Sequence, residues 1–181
     1  MKKLTSLTII SLCFIISVRS QDFGYKTIDV GGEFQWHPKG YIYMVHLAYN
    51  FPIHHSVQAR IGYNKSNWKE KGIHDNEEGG GPGFSLGYRY YFLVRPHGFF
   101  LGAHADVWRL SIDWRQGITN GRSKLWALQP TAEIGYMFLI NDMFFISPSV
   151  AAGLQTNIKT EGQAVGDGSV ILIGISTGWK F

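Results

Sequence analysis

Cysteine is almost missing: Cys13 is the only one in 181 residues. That excludes a disulfide framework and a cysteine-based zinc site. Charge is scarce as well. Asp, Glu, Lys and Arg make up 17% of the chain against 15% aromatics, the reverse of a disordered composition. No run of about 20 apolar residues follows the N-terminus, so no spanning helix is expected. No segment keeps a 3.6-residue apolar period long enough for a helix of any kind. What remains is one domain rich in strands, with 22 glycines to punctuate them.

The first twenty residues read as a secretory signal. Lys2 and Lys3 precede an apolar stretch over 4–18, and Val18 and Ser20 set small residues at −3 and −1 of a cleavage after Ser20. Leu12 before Cys13 is too bulky for a lipoprotein signal, so Cys13 belongs to the apolar stretch. Residues 1–20 are thus a signal peptide and 21–181 the mature domain. Cleavage takes Lys2, Lys3 and Arg19 with it, leaving 14 basic residues against 13 acidic. So even a balance carries no nucleic-acid footprint, and no nucleic-acid partner is expected.

Segments that alternate with period two follow at regular intervals, bounded by Gly, Pro and Asn. They predict eight strands, at 25–36, 41–51, 56–65, 83–92, 98–113, 124–138, 143–157 and 168–181. The connections at 52–55, 93–97 and 139–142 are tight. Those at 66–82, 114–123 and 158–167 are longer and more polar, and 37–40 is a brief link on their side. Long links at one end and tight turns at the other are the pattern of a transmembrane barrel. The tight turns then lie with both termini on the periplasmic side.

In the eighth strand Ile171, Ile173, Ile175, Thr177, Trp179 and Phe181 share one face, and Leu172, Gly174, Ser176, Gly178 and Lys180 the other. The second, third and fourth strands repeat the division. The polar face is rich in Gly and Ser, sizes that suit a narrow interior, whereas the apolar face carries aromatic rings too bulky for it. The rings therefore point outward, with Tyr88, Tyr90, Phe92, Tyr136, Phe138, Trp179 and Phe181 forming an aromatic girdle near the turns. An open edge in hydrocarbon would strand backbone donors, so the sheet must close. Pro130 and Pro148 sit inside strands on the outer face, where a bulge is expected. The fold class is all-β, an eight-stranded antiparallel up-and-down transmembrane β-barrel.

With its cleavable signal, eight alternating strands, asymmetric loops and the ending Gly178-Trp179-Lys180-Phe181, the chain resembles the small outer-membrane barrel proteins of Gram-negative bacteria, the OmpA- and OmpX-type barrels. The resemblance covers the mature chain through pattern and not through a residue signature. It implies location in the cell outer membrane, among outer-membrane lipid and lipopolysaccharide. It also implies a monomer without cofactor, and Trp179 and Phe181 as a C-terminal signal read by the barrel-assembly machinery.

The inward register places Asp29, Glu33, Gln35, Arg60, Arg89, His104, Asp106, Gln129, Thr131, Glu133 and Lys180 in the lumen. Bare charges there must pair or stay hydrated, and a plug of salt bridges with water is preferred to a gated ion path. His54 and Ser56 have a spacing similar to the pair of lipid A deacylases but fall in a periplasmic turn, without an orienting acid. The run Gly79-Gly80-Gly81-Pro82-Gly83 lacks the ending of a phosphate loop and reads as a flexible loop. Asp75, Asn76, Glu77 and Glu78 match no calcium loop and read as a solvated acidic tip. The expected role is non-enzymatic, in envelope integrity or surface contact. A narrow porin-like channel and a lipid-modifying barrel hydrolase are the alternatives.

Overall fold

A computed structural model describes residues 26–69, 73–166 and 168–181. The proposed signal peptide lies outside them. Eight antiparallel strands follow in order: β1 (Ile28–His37), β2 (Gly40–Asn50), β3 (His55–Lys69), β4 (Asn76–Tyr91), β5 (Gly98–Gln116), β6 (Thr119–Ile140), β7 (Phe144–Glu161) and β8 (Gly168–Lys180). Each pairs with the next, and β1 pairs with β8 from Asp29 opposite Lys180 to Trp36 opposite Ile173. The cylinder is closed. Every strand therefore has a hydrogen-bonding neighbour on both sides, which is what a wall surrounded by hydrocarbon requires. Phe181 extends the closure by exchanging backbone hydrogen bonds with Ile28.

The outward face carries the apolar side chains. Ile61 is 63% exposed, Leu86 62% and Ile175 49%, while Arg60, Ser85 and Ser176 beside them are buried. Rings collect at both ends of this belt. Phe34, Tyr41, Tyr43 and Tyr63 pack in sequence toward one end. Tyr49 with Phe51, Tyr90 with Phe92, Tyr136 with Phe99 and Phe138, and Trp179 with Phe144 gather at the other. From Tyr41 to Phe51 a strand rises about 33 Å, or about 25 Å along an axis tilted about 40° from it, the height of an apolar membrane band.

The turns explain the asymmetry of the ends. Asn141 and Asp142 both take left-handed φ, of 52° and 54°, in the three-residue β6–β7 link that Met143 N–H closes by donating to the Ile140 carbonyl, a handedness that suits the strand twist. At the opposite end the strands run further than their sequence predicts. β3 continues to Lys69, β4 starts at Asn76, and β5 and β6 meet at a turn of Gly117 and Ile118. Most of the predicted links 66–82 and 114–123 is thus paired strand. The glycine run 79–83 is not a flexible loop but part of β4, paired along β3. Gly83 has a steric reason to be there: a Cβ on it would run into the indole of Trp108.

The prolines act more gently than expected. Pro130 and Pro148 face outward, and the β6–β7 ladder lacks pairs beside each without losing register. The register shift lies instead at Trp126/Ala127, where β7 passes from Asn157 to Lys159 and Ile158 is the extra residue. Gly83→Val, which drives a side chain into Trp108, is expected to destabilise the barrel by about 1–3 kcal/mol. Urea unfolding in lipid vesicles, followed by tryptophan fluorescence, reads this as a lowered midpoint.

Candidate functional site: the barrel lumen

Three layers fill the lumen. The middle one joins strands that are not neighbours in the sheet. Arg60 on β3 donates from Nη1 to Glu33 of β1 (3.1 Å), and from Nη2 to Asp106 of β5 (2.8 Å). Its Nε and Nη2 also reach Ser85 Oγ on β4 at 3.1 and 2.9 Å. Gln129 and Gln35 donate to the two carboxylates, at Asp106 Oδ2 and Glu33 Oε1. Beside this cluster Arg89 binds Glu133 with two parallel bonds of 3.0 Å each, the fork geometry that suits guanidinium to carboxylate. His104 Nε2 lies 2.7 Å from Glu133 Oε2, leaving Nδ1 without a protein partner. Toward the termini Lys180 donates to both oxygens of Asp29 (2.9 and 2.8 Å), and Asn50 donates to the same group. All the charged residues that the register placed inside are buried there and joined in these pairs.

Apolar side chains pack on both sides of the central network. At the end that carries the termini Tyr91, Phe100, Met137 and Phe145 pack together, with Leu139 against them. The Arg89 guanidinium rests 4.4 Å from the Phe100 ring centre, and Lys180 lies over Phe145. On the other side Trp108, Leu110, Ile112, Trp114, Leu125 and Leu172 form a larger cluster with Ile42 and Met44. Trp108 is fully buried, directly above Asp106.

Residues 162–166 of the β7–β8 link fold over that cluster and insert Val165 into it. Polar contacts hold this cover. Gly166 N–H donates to Glu77, Asn157 donates to the Val165 carbonyl, and Ser123 donates to the Gln163 carbonyl. His74 is stacked on Trp114 at 4.5 Å, and its two ring nitrogens face Glu77 and Gln163. Below the cover lies a cavity of about 10 Å³ lined by Ser66, Glu77, Leu110 and Val165, room for one water at most. Glu77 is therefore no part of a solvated tip. It is a buried anchor that also accepts the backbone N–H of Ile73 and His74. Glu78 faces outward, and Asp75 accepts from Gly117 N–H.

The other candidates lie apart. His54 sits in the β2–β3 turn with φ 55°, its Nδ1 2.8 Å from the Tyr91 carbonyl, while Ser56 is buried in the lumen wall. Among the described residues no group of three or more metal-binding side chains forms. No described helix is long and apolar enough to cross a membrane, a statement that does not bear on strands.

The lumen and wall together define an eight-stranded barrel of the outer-membrane type. No family model matches the chain, and no curated protein does. Solved structures do. The N-terminal β-barrel domain of Pseudomonas aeruginosa OprF aligns over 88% of this chain and all of its own, at 18% identity and a TM-score of 0.53. Ail, the attachment invasion locus protein of Yersinia pestis, solved with the heparin analogue sucrose octasulfate, aligns over 86% and 97% at 11% identity and 0.50. Neisserial surface protein A aligns over 85% and 96% at 9% identity and 0.49. At such identities the likeness is one of fold.

The middle layer makes a direct prediction. Arg60→Ala strands two buried carboxylates and is expected to cost about 3–5 kcal/mol. Combining it with Glu33→Gln and Asp106→Asn removes the uncompensated charges and is expected to restore part of that loss. Urea midpoints of the single and triple variants, compared in vesicles, check both expectations.

Proposed function

We propose that the protein is an integral outer-membrane barrel with a closed lumen, acting in the envelope through its wall and its extracellular rim. The observation that carries this reading is the stacking order inside: a buried ion-pair network between two apolar layers, the outer one covered by Val165. An ion crossing that axis must part the fully buried rings of Trp108, Phe100 and Phe145 and shed its hydration among them. The porin-like alternative is therefore disfavoured. The hydrolase alternative finds little support in a histidine bonded to a backbone carbonyl and a serine turned into the lumen.

Location rests on the outward apolar belt and its two ring girdles, together with the fold shared with outer-membrane barrels. Above the belt the extended strands and the links between them form the surface open to contact, with Ile118 at the tip of the β5–β6 hairpin fully exposed. We also retain Trp179 and Phe181 as the segment engaged during assembly. Trp179 is exposed on the outer wall, and Phe181 completes the seam with β1.

Planar-bilayer recording tests the closed lumen. The wild-type protein is expected to give no conductance steps, and Trp108→Ala combined with Val165→Ser, Phe100→Ala and Phe145→Ala is expected to introduce them. Steps of porin size from the wild type would overturn the reading. Deleting Phe181 is expected to slow appearance of the heat-modifiable band on detergent gels, with unchanged kinetics contradicting the assembly role. Mass spectra of lipid A with and without expression are expected to be identical, and a changed acyl pattern would favour the hydrolase.

A further inference from the structure

The wall changes character abruptly along β5 and β6. Below, the outward residues are Leu101, Val107, Ile134 and Leu128; above, they are Arg109, Ser111, Asp113 and Arg115 on β5 and Lys124, Arg122 and Asn120 on β6. At the boundary Arg109 lies directly opposite Trp126 across the ladder, its guanidinium 6.0 Å from the indole centre. Trp126 in turn faces Lys159 of β7, and Lys124 stands one step further out, opposite Ser111 and Glu161.

Two of the nearby carboxylates are already engaged. Glu161 pairs with Lys159 at 3.1 Å. Asp113 is bonded by Arg122, which holds its carboxyl below the usual carboxylate range. Among the described ion pairs none supplies a carboxylate to Arg109 or Lys124. Diagonal neighbours on one sheet face are about 7–8 Å apart, a gap that one phosphate can bridge with charge-assisted hydrogen bonds to both. The tryptophan between them belongs to the level where a ring can lie against acyl chain and headgroup together.

From this geometry we infer that Arg109, Lys124 and Trp126 form an outward-facing site for the phosphate of a phosphorylated glycolipid in the outer leaflet. The cations take the phosphate, and the indole lies against the adjoining acyl or sugar carbon. The inference rests on the outer-membrane reading. A lipid, not free phosphate, is the occupant because the cations open sideways, immediately above an apolar wall that its chains would cover.

Native mass spectrometry of the refolded protein in detergent, titrated with bis-phosphorylated lipid A, tests this. The wild type is expected to hold one lipid, and Arg109→Gln with Lys124→Gln to weaken it about tenfold or more. Arg95→Gln, in an exposed periplasmic turn, is expected to leave binding unchanged. Equal affinity of the double variant, or of lipid A stripped of its phosphates, would overturn the site. So would an equal loss from Arg95→Gln, or displacement of the lipid by millimolar inorganic phosphate. Insertion into vesicles, read from the heat-modifiable band, separates the two levels of failure. A barrel that inserts yet shows no phosphate preference removes this inference alone, whereas one that never inserts removes the membrane reading as well.

Discussion

Backbone hydrogen bonding in a solvent that offers none is the constraint from which the rest follows. A wall studded with Ile61, Phe84, Leu86 and Ile175 on its outer side can rest in hydrocarbon only if every donor and acceptor on the strands is paired within the sheet. The β1–β8 seam meets that demand, and closure then dictates the interior. Eight strands leave a bore that side chains must fill, and several inward glycines make room for a large neighbour. Gly87 lies under His104 and Gly102 beside Arg89 and Glu133.

The filling has two tasks. Charges that span the bore, such as Arg60 between β1, β4 and β5, fix strands that share no ladder. They hold because each charge meets one of opposite sign, since a buried charge left unpaired costs more than the pair returns. Beyond the membrane band the logic reverses. Trp108, Leu110, Ile112 and Trp114 turn inward on β5 while Arg109, Asp113 and Arg115 turn out, so the half of the barrel away from the termini is built like a soluble barrel with an apolar core. At the height where the alternation inverts, the outward face passes from apolar to polar, and above it the rim carries polar residues.

Much of this was legible in the chain. The alternation of Ile171 to Trp179 against Leu172 to Lys180 placed each side chain on its correct face, and with it all seven charged or ionisable lumen residues from Asp29 to Glu133. The partners within that set were not legible, because Arg60 meets Glu33 and Asp106 across the bore, beyond what a neighbouring register states. The extracellular half was misread for a physical reason. Polar outward residues and a glycine run look like loop composition when the apolar face is assumed to stay outside. The inverted period from Trp108 to Trp114 was the available signal, and it extends the strands once the face is allowed to change. Glu77 and His74 could be found only through the fold, since their partners on β5 and the β7–β8 link are distant in sequence.

Spin labels on single cysteines along the outer face of β5, at Leu101, Ala105, Val107, Asp113 and Arg115, test the membrane boundary most directly. In vesicles the first three are expected to collide with oxygen and resist a water-soluble nickel reagent. The last two are expected to do the opposite, with the change falling beside Arg109. A uniform preference for nickel along the strand would contradict a lipid-facing wall and the account built on it.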